Sequence, residues 1–483
     1  MPSCVLVGES ALLMQCAALL SRRGFEVQAV LSEDPSVQKW AEEAGTRLCR
    51  RLRDAEAFLS GHRYDWLFSI VNPYLLGPPV LACATQGAVN YHDSLLPRYS
   101  GSHAVPWELI HGEAEVGVSW HLMGQRADAG DLLAQSVVQV SPTETAQTLN
   151  GKCGFAAVAS FGKVIKQLGG ALAPVNQEGT RSFFYRFRRP TAACFVDFHQ
   201  PAVNVERFVR AVTFGPQFNP LGLPKVVVDG QVHVVDRVEV LAGERSGAAP
   251  GKLVARESEQ LRVATVDDDV RLFVRPASHA LSAPKNDSAQ LAPGMLAELE
   301  TYDRSVFKHE RHWLNLLRDD PWRLGLRNAA PRPRQWLSKQ SNRRGVALSV
   351  VRAVEAALPD VKVGVWSHLD LPAGAMGLYA STVPVLGPAA ELGQEEATNA
   401  LEAALAENAS RATYLRDLEE RLLAAVPPAA LSPMVGVELR LDGPTEPPAT
   451  SSFGLCIGRG EGDALWIAAY DERITEAHLH GAQ

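Results

Sequence analysis

The sequence predicts an α/β protein built from several domains, and three observations support this. A length of 483 residues suggests about three domains, and 46% hydrophobic residues are enough to build proper cores. The N-terminus reads as a short apolar strand over residues 4–8, a helix over 10–21 and a second strand over 25–31. Because strand, helix and strand in this order form a right-handed parallel crossover, we expect the chain to begin with a parallel sheet.

The charge of the chain bears on its partners. The net charge is −7, and residues 1–180 hold 13 Lys and Arg against 17 Asp and Glu. A tRNA-binding enzyme usually needs a basic face to neutralise phosphates, so we do not expect nucleic acid as a partner. The one basic cluster fits a solvated helix face or a clamp for a small phosphate equally well, and it comprises Arg47, Arg50, Arg51 and Arg53.

Cysteine usage and the absence of long apolar runs suggest the compartment. The seven cysteines lie mostly in apolar runs, without Cys-x-x-Cys spacing, which is typical of a reduced protein. The N-terminus enters a strand at once, with no basic leader, and no apolar run reaches membrane length. The sequence therefore predicts a soluble, cytoplasmic protein with no membrane partner.

The stretch after the central strands carries the candidate chemistry. Residues 66–71 form a largely apolar run, as expected of a strand at the centre of a parallel sheet. A second apolar run, 87–89, leads into Asn90 and His92, whose side chains would point to one face of a strand. Pro97 and Gly101 then hold the chain as a loop. An amide beside an imidazole suits a carbonyl that becomes an oxyanion, although a capped strand end with a satisfied histidine has the same pattern.

The continuation of this stretch resembles a known family. An alternating strand covers residues 117–123, and an Asp-x-Gly element follows at Asp128 to Gly130. Together with residues 90–101, this order resembles the folate-dependent formyltransferases, which include methionyl-tRNA formyltransferase, glycinamide ribonucleotide formyltransferase, the sugar N-formyltransferases and the formyltransferase domains of nonribosomal peptide synthetases. The resemblance implies a Rossmann-like catalytic domain over residues 1–180 with 10-formyltetrahydrofolate as co-substrate.

The resemblance also implies roles for particular residues. Asn90 would donate a hydrogen bond to the formyl oxygen, and a protonated His92 would stabilise the same charge and help to move protons. Asp128 would accept a proton or hold His92 charged, and no metal is needed. The family binds the pterin with the loop after the central strand, although a plain proline-bounded loop explains residues 72–78 as well. The expected cofactor contacts are Tyr74, Leu75, Leu76, Ser94, Leu95, Leu96 and Pro97.

A second domain is predicted over residues 181–280. A helical pattern at 145–168 ends at two glycines, and residues 195–198, 206–212 and 219–222 resemble the start of the formyltransferase C-terminal domain. Residues 225–232 predict a hairpin with Asp229 and Gly230 as its turn. More short strands follow to about residue 276, which suggests the small OB-like β-barrel of this family. Without an evident basic surface, we expect it to serve packing or substrate recognition.

The last third has a different character. Residues 282–293 read as a linker, and residues 305–314 predict an amphipathic helix similar to one in nonribosomal peptide synthetase condensation domains. Residues 332–334, 380–385 and 397–408 fit the same domain, but its His-His-x-x-x-Asp-Gly motif is missing. We therefore expect a truncated, non-catalytic condensation-like domain over 295–483, with an unrelated α/β module as the rival interpretation.

Two pairs of histidines invite a metal interpretation, but surface histidines are expected at both places. His309 and His312 could share a helix face, whereas zinc needs three or four ligands. The same holds for His478 and His480.

The predicted function is formyl transfer from 10-formyltetrahydrofolate to the amine of an amino acid or a carrier-bound aminoacyl group in natural-product biosynthesis. The alternatives are a sugar-nucleotide N-formyltransferase, a methionyl-tRNA formyltransferase-like enzyme and a non-catalytic scaffold. The complete Asn90, His92 and Asp128 set argues against a scaffold. The expected partners are a small amine or an aminoacyl carrier protein, with a homo-oligomer left open. Deletion of 295–483 is expected to leave some activity on a small amine if the remaining protein stays soluble.

Overall fold

The structure is a computed structural model, and it divides the chain into two units. It describes all residues except 281–287, 320–329, 332–333, 339–342, 358–361, 370, 372–377, 381, 386–392, 424–433, 442–449, 452, 454, 460–464, 471–473 and 475–483. The first unit comprises Met1–Arg188 and Val203–Phe214, and the second comprises Arg189–Ala202 and Gly215–Gln483. The three predicted domain ranges stay predictions.

The first unit is built on a seven-stranded sheet with the order β3-β2-β1-β4-β5-β7-β8. The first five of these strands run parallel, and β7 and β8 are antiparallel to their neighbours. A separate parallel pair is formed by β6 and β9. The strands are β1 Ser3–Gly8, β2 Glu26–Leu31, β3 Arg47–Cys49, β4 Tyr64–Ile70, β5 Ala84–His92, β6 Ser100–Gly101, β7 Glu115–Leu122, β8 Leu132–Gln139 and β9 Phe183–Phe184.

Helices cover both faces of this sheet, so its parallel strands are apolar on both sides. One core cluster contains Leu6, Phe68 and Val89, and the other contains Val5 and Leu67 from the same strands. The helices are α1 Ser10–Arg22, α2 Pro35–Glu43, α3 Ala55–Leu59, α4 Pro78–Leu81, α5 Ala104–His111, α6 Ala146–Leu168 and α7 Ala202–Ala211. The structure thus confirms the predicted α/β sheet, its first crossover and the long helix before the two glycines.

Local chemistry explains where the longest helix of this unit begins. The Thr145 hydroxyl accepts a hydrogen bond from the Thr148 N–H, and the Thr148 hydroxyl accepts one from the Thr145 N–H. This reciprocal capping box satisfies two donors that the first helical turn leaves unpaired. The helix then buries Leu149, Cys153 and Phe161 against the sheet. This capped helix therefore packs against the sheet whose edge holds the predicted catalytic residues.

The second unit contains three sheets and five α-helices among its described residues. A five-stranded antiparallel sheet has the order β10-β11-β14-β13-β12, a six-stranded mixed sheet has the order β16-β22-β21-β19-β17-β18, and β15 pairs with β20. The strands are β10 Lys225–Val228, β11 Gln231–Leu241, β12 Leu253–Glu257, β13 Gln260–Val263, β14 Asp269–Ala280, β15 Ala330–Pro331, β16 Arg334–Ser338, β17 Lys362–His368, β18 Thr382–Val385, β19 Met434–Arg440, β20 Thr450–Ser451, β21 Leu455–Arg459 and β22 Leu465–Ala469. The helices are α8 Pro293–Phe307, α9 Glu310–Asp319, α10 Arg343–Ala357, α11 Gln394–Arg411 and α12 Asp417–Leu423.

The predicted hairpin of the second unit is confirmed. Strands β10 and β11 pair in antiparallel fashion across a turn in which Asp229 has φ 53° and Gly230 has φ 78°. Two central residues with positive φ match the right-handed twist of the strands, and the Asp-Gly pair adopts this conformation readily. The OB-like barrel and the condensation-like domain stay predictions.

Two sequence predictions in this unit are wrong in part. The helix expected over 305–314 is two helices, because α8 ends at Phe307 and α9 begins at Glu310. The expected linker at 282–293 lies partly outside the described residues, but Ser288 bridges to Lys252 and Leu291 is buried in a core cluster. The helix expected over 397–408 lies within α11, and residues 332–333 lie outside the described part.

Six charged side chains form a buried cluster in the second unit, which we call the charge cluster. Arg189 contacts Asp303 at 2.7 Å and also pairs with Glu310. Arg421 contacts Glu310 at 2.7 Å and Asp417 at 2.9 Å, and Asp417 also pairs with Lys225. Buried charges are tolerated only when they are paired and hydrogen-bonded, and these three cations and three carboxylates meet that condition. The cluster joins sequence segments that are more than 100 residues apart.

Other composition-based expectations can be compared with the coordinates. All seven cysteines are buried and none is in a disulfide. The Arg47–Arg53 cluster is not a helix face: Arg47 donates to the Tyr64 hydroxyl and stacks on Phe58, and Arg50 pairs with Glu42. Within the described residues, every helix is too short or too polar to cross a membrane.

Candidate active site

Strand pairing brings the predicted residues together at one edge of the sheet. Asn90 and His92 lie at the end of β5, and the antiparallel partner β7 places His121 directly opposite Asn90. The loop between β7 and β8 carries Asp128, whose Oδ1 lies 3.8 Å from His92 Nδ1 and 3.6 Å from His121 Nε2. The structure therefore joins all three predicted catalytic residues and adds a second imidazole.

The hydrogen bonds of the two imidazoles define which ring atoms carry protons. His92 Nε2 lies 2.8 Å from the carbonyl oxygen of Tyr99, and since a carbonyl only accepts, Nε2 donates. His121 Nδ1 donates in the same way to the Leu122 carbonyl at 2.8 Å. The remaining nitrogens, His92 Nδ1 and His121 Nε2, therefore face Asp128.

Asn90 is held by the same group of side chains. Its Nδ2 donates to the Tyr91 carbonyl at 2.9 Å and lies 3.2 Å from His121 Nε2. Because His121 Nδ1 already carries a proton, a neutral His121 accepts this second hydrogen bond through Nε2. Both N–H groups of the Asn90 amide thus donate hydrogen bonds in this arrangement, one to the Tyr91 carbonyl and one to His121 Nε2.

Asp128 is a buried carboxylate with several donors. Burial alone would raise its pKa, but the nearby imidazoles of His92 and His121 and the hydrogen bond from the Gly101 N–H together lower the pKa to about 2. The Gly101 N–H donates to Oδ2 at 2.8 Å. Asp128 itself has φ 49°, and a Cβ at Gly130 would lie 1.7 Å from the Leu122 carbonyl. The Asp-x-Gly element therefore needs glycine at its third position for steric reasons.

The loop after His92 is held by hydrogen bonds to side chains of β7 and β8. The Ser119 hydroxyl donates to the Ser94 carbonyl at 2.6 Å and accepts from the Leu96 N–H at 3.1 Å. Gln135 Nε2 donates to both the Ser119 hydroxyl and the Leu96 carbonyl. Ser94 and Leu96 are buried, so two of the predicted cofactor contacts have side chains that pack inside the protein.

Three further predicted cofactor contacts, Tyr74, Leu75 and Leu76, follow β4, the parallel neighbour of β5. The Tyr74 hydroxyl donates to Glu33 at 2.7 Å, and its ring packs with Leu76 against a core cluster. Leu75 is 86% exposed, which is unusual for a large apolar side chain. Because β4 and β5 run parallel, the two predicted cofactor loops leave the sheet at the same edge, where open α/β sheets bind ligands.

Sequence reasoning missed several residues of this site. His121 lies in the alternating strand predicted over residues 117–123, and its position opposite Asn90 follows only from the strand register. Gln177 and Arg181 lie beyond the Asp-x-Gly element and donate to its backbone carbonyls. A polar side chain after a long helix carries no sequence signal of such a contact, so these two could not have been identified.

In the described part of the chain, no group of three or more His, Cys, Asp or Glu side chains is arranged so that it could hold a metal ion. The prediction of two surface histidines is wrong for His312. Its Nε2 is buried and its ring packs edge-on against Trp313. Burial also lowers its pKa to about 4. His478 and His480 lie outside the described residues.

Comparison with known families and structures adds independent information. Residues 28–165 match the sequence model of the family described as formyl transferase. Among solved structures, an N-formyltransferase from Helicobacter canadensis has 15% identity and a TM-score of 0.44, and the match covers 57% of this chain and 100% of that one.

Two further solved structures are also similar to this chain. HypX from Aquifex aeolicus has 17% identity and a TM-score of 0.41, with 59% of this chain and 46% of that one covered. Methionyl-tRNA formyltransferase from Clostridium thermocellum has 9% identity and a TM-score of 0.39, with 57% and 99% covered. The family match contains β4, β5, β7 and β8, and it agrees with the resemblance of this part of the chain to formyltransferases.

Proposed function

We propose that the protein transfers a formyl group from 10-formyltetrahydrofolate to an amine. One observation carries this proposal. Within the residues that match the formyl transferase family, Asn90, His92, His121 and Asp128 converge at the edge of the sheet where ligands bind. No other described group in the first unit combines an amide donor, two imidazoles and a buried carboxylate in contact.

The reaction makes definite demands on these groups. The amine nitrogen forms a bond to the formyl carbon, negative charge develops on the formyl oxygen, and the bond from the formyl carbon to the folate nitrogen then breaks. One proton leaves the amine and one reaches the folate nitrogen. Donors placed where the charge develops lower the barrier most, because they need no reorganisation during the reaction.

Asn90 supplies the hydrogen-bond donor in this proposal, and His92 supplies a positive charge. The formyl oxygen would accept from Asn90 Nδ2 in place of His121 Nε2, which now lies 3.2 Å away. A proton on His92 Nδ1 would be directed towards Asp128 and Asp93, which lie 3.8 and 3.9 Å away. The low pKa of Asp128 makes its carboxylate a weak base. Asp128 is therefore better suited to hold a positive imidazole than to take the proton of the amine itself.

The folate co-substrate is proposed to lie between the two loops that follow β4 and β5. The exposed Leu75 offers an apolar contact, and Tyr74 and Leu76 anchor their loop on the core. The loop over Ser94 to Pro97 would contribute mainly backbone groups and the Leu95 and Pro97 side chains, because Ser94 and Leu96 are buried. A folate ligand bound instead in the second unit would contradict this placement.

For the acceptor, we propose the amine of an amino acid or of an aminoacyl group on a carrier protein. The predicted condensation-like character of residues 295–483 supports this choice. A nucleotide-linked amino sugar is the second candidate, and one observation favours it. Near the site, Phe183, Tyr185 and Phe187 are exposed, and so is Arg188. Exposed aromatic rings interleaved with arginine suit a ligand with a planar base and a phosphate.

A turnover assay decides between these acceptors. The full chain would be incubated with 10-formyltetrahydrofolate and, in separate reactions, free amino acids, an aminoacyl-carrier protein or an amino-sugar nucleotide. Release of tetrahydrofolate that depends on the amine, with formylated product seen by mass spectrometry, supports formyl transfer. Turnover with the sugar nucleotide alone would replace our acceptor, and no amine-dependent turnover with any of the three would remove the proposed function.

A further inference from the structure

The segment that follows α6 contacts the catalytic loop at several points. Val175 forms a two-way backbone bridge with Leu132, at 2.7 and 2.9 Å. Further along, β9 pairs with β6, which contains Gly101. Residues 175–184, here called the bracing segment, therefore pass beside both the start of β8 and the donor to Asp128. All of these residues belong to the first unit.

Two side chains of the bracing segment hold the loop around Asp128. Gln177 Nε2 donates to the Asp128 carbonyl at 3.0 Å and to the Gly130 carbonyl at 2.8 Å. The Arg181 guanidinium donates to the Asp128 carbonyl at 3.2 Å and to the Ala127 carbonyl at 2.6 Å. Three carbonyls of one short loop are thus oriented by two residues that are about fifty positions away in sequence.

The same segment also fixes the donor to the Asp128 carboxylate. The Ser100 N–H donates to the Ser182 carbonyl at 3.0 Å, and the Ser102 N–H donates to the Phe184 carbonyl at 2.9 Å. These bonds enclose Gly101, where a Cβ would lie 2.1 Å from the Phe184 carbonyl. The Gly101 N–H therefore has little freedom, and it is directed at Asp128 Oδ2.

We propose that Gln177 and Arg181 are positioning residues that set the place of the Asp128 carboxylate for formyl transfer. Asp128 needs such support because its backbone has positive φ, a conformation that non-glycine residues rarely adopt without help. Arg181 is suited to this task, since a planar guanidinium reaches two carbonyls at once and a lysine ammonium does not match that geometry. This inference rests on the proposed function.

The groups that face Asp128 predict what its displacement would do. His92 and His121 face Oδ1, the Gly101 N–H faces Oδ2, and Asp93 approaches the same nitrogen of His92, Nδ1, at 3.9 Å. The first three lower the pKa of Asp128 against the effect of burial. If the loop moves, these contacts lengthen and the pKa rises towards its ordinary value. Asp128 then becomes protonated at a higher pH when the solution is acidified.

The test compares Arg181→Met, Arg181→Lys and Gln177→Leu with Arg126→Met in the full chain. Arg126 is an exposed arginine next to the same loop, so it controls for loss of a charge at this place. We expect Arg181→Met to lower kcat by about ten- to a hundredfold, with little change in the KM for 10-formyltetrahydrofolate, because small misplacement of a catalytic group has effects of this order. Arg181→Lys should recover part of kcat, and Arg126→Met should match the wild type.

A second measurement separates positioning from stability and does not need activity. The titration of Asp128 can be followed by carbon NMR with labelled aspartate, using Asp128→Asn for assignment. A higher pKa in Arg181→Met than in the wild type supports the inference. An unchanged pKa, or a variant that loses only thermal stability while kcat is kept, overturns it. If the wild type transfers no formyl group, the proposed function fails, and the titration alone decides the positioning role.

Discussion

The charge cluster of the second unit and the candidate active site of the first both bring charged side chains together, and the two groups differ in how closely their members approach. In the charge cluster, Arg421 lies 2.7 Å from Glu310 and 2.9 Å from Asp417. In the candidate active site, Asp128 lies 3.6 and 3.8 Å from its two imidazoles. The close ion pairs of the charge cluster satisfy one another's hydrogen-bonding groups and leave none for a ligand. In the candidate active site, the longer distances leave donor groups that a reacting molecule can use.

The chemical types of the two groups differ in the same sense. Burial opposes the charged forms in the cluster, but the neighbouring carboxylates raise the pKa of Arg189 and Arg421, and Lys225 and Arg421 lower the pKa of Asp417. The active site instead combines a carboxylate with histidine, the side chain that gains and loses protons most readily during reactions. We therefore assign structure to the first group and chemistry to the second, and the predictions below test that division.

The largest expected effect is on catalysis. Asn90→Ala, His92→Ala and Asp128→Ala should each lower kcat by about a hundredfold or more, because Asn90 and His92 stabilise the developing negative charge and Asp128 holds His92 in its positive form. All three variants should still fold, with the thermal unfolding of Asn90→Ala and His92→Ala close to that of the wild type and some loss of stability in Asp128→Ala. The measurement is kcat for formyl transfer, with Arg126→Met as the control. Wild-type-like turnover in any two of the three variants would contradict the mechanism.

The opposite pattern is expected for the charge cluster. Arg421→Ala removes one of the two buried cationic partners of Glu310 and one of the two of Asp417, and breaking buried ion pairs in this way typically costs about 3–5 kcal/mol of stability. Chemical denaturation, followed by the fluorescence of Trp313, should show this loss in the second unit. In the fraction that remains folded, kcat on a small amine should be unchanged. A loss of kcat without a loss of stability would reverse the division between the two groups.

The cluster also alters the expectation for deletion of residues 295–483. That deletion removes Asp303, Glu310 and Asp417 but keeps Arg189 and Lys225, which would then lose their carboxylate partners and part of the chain that packs around them. We therefore expect the shortened chain to be insoluble or locally unfolded from Arg189 onward. A soluble shortened chain with wild-type stability would show that the cluster contributes less than its geometry suggests.

The sequence was informative where local patterns determine structure. Alternation along β5 predicted that Asn90 and His92 act together, and the Asp229–Gly230 pair predicted its hairpin. It failed where distant residues decide the outcome. The break between α8 and α9 places Glu310 at the start of a new helix, where it meets Arg189 and Arg421. These partners lie 121 and 111 residues away, so no local pattern indicates them.

The active site shows the same limit. Asn90, His92 and Asp128 were predictable because short motifs contain them, and the register of β5 and β7 then adds His121. Gln177 and Arg181 were not predictable, because their contacts are to backbone carbonyls, which every sequence offers. A motif therefore indicates candidate reacting groups, whereas the residues that contact and hold them depend on the folded chain.

A smaller effect is expected from the acid titration of Asp128. Its pKa is lowered from 3.8 to about 2, so the folded state gains stability at pH values above the unfolded pKa and loses that gain as the pH falls to about 2. The shift corresponds to about 2 kcal/mol. Asp128→Asn should reduce the fall in unfolding free energy between pH 5 and pH 2 by about this amount. An identical pH dependence in the variant would mean that the carboxylate is not held by its donors.

The smallest effect tests why the two groups differ from ordinary ion pairs. Arg256 contacts Asp229 at 2.9 Å, the same distance as Arg421 to Asp417, but its side chain is 44% exposed and that of Asp229 is 50% exposed. Water already solvates both ions, so Arg256→Ala should change stability by only about 0–1 kcal/mol, with an effect that weakens further in salt. Denaturation of Arg256→Ala beside Arg421→Ala measures this directly. If the two substitutions cost the same, burial would not be what distinguishes the charge cluster, and its structural role would need another cause.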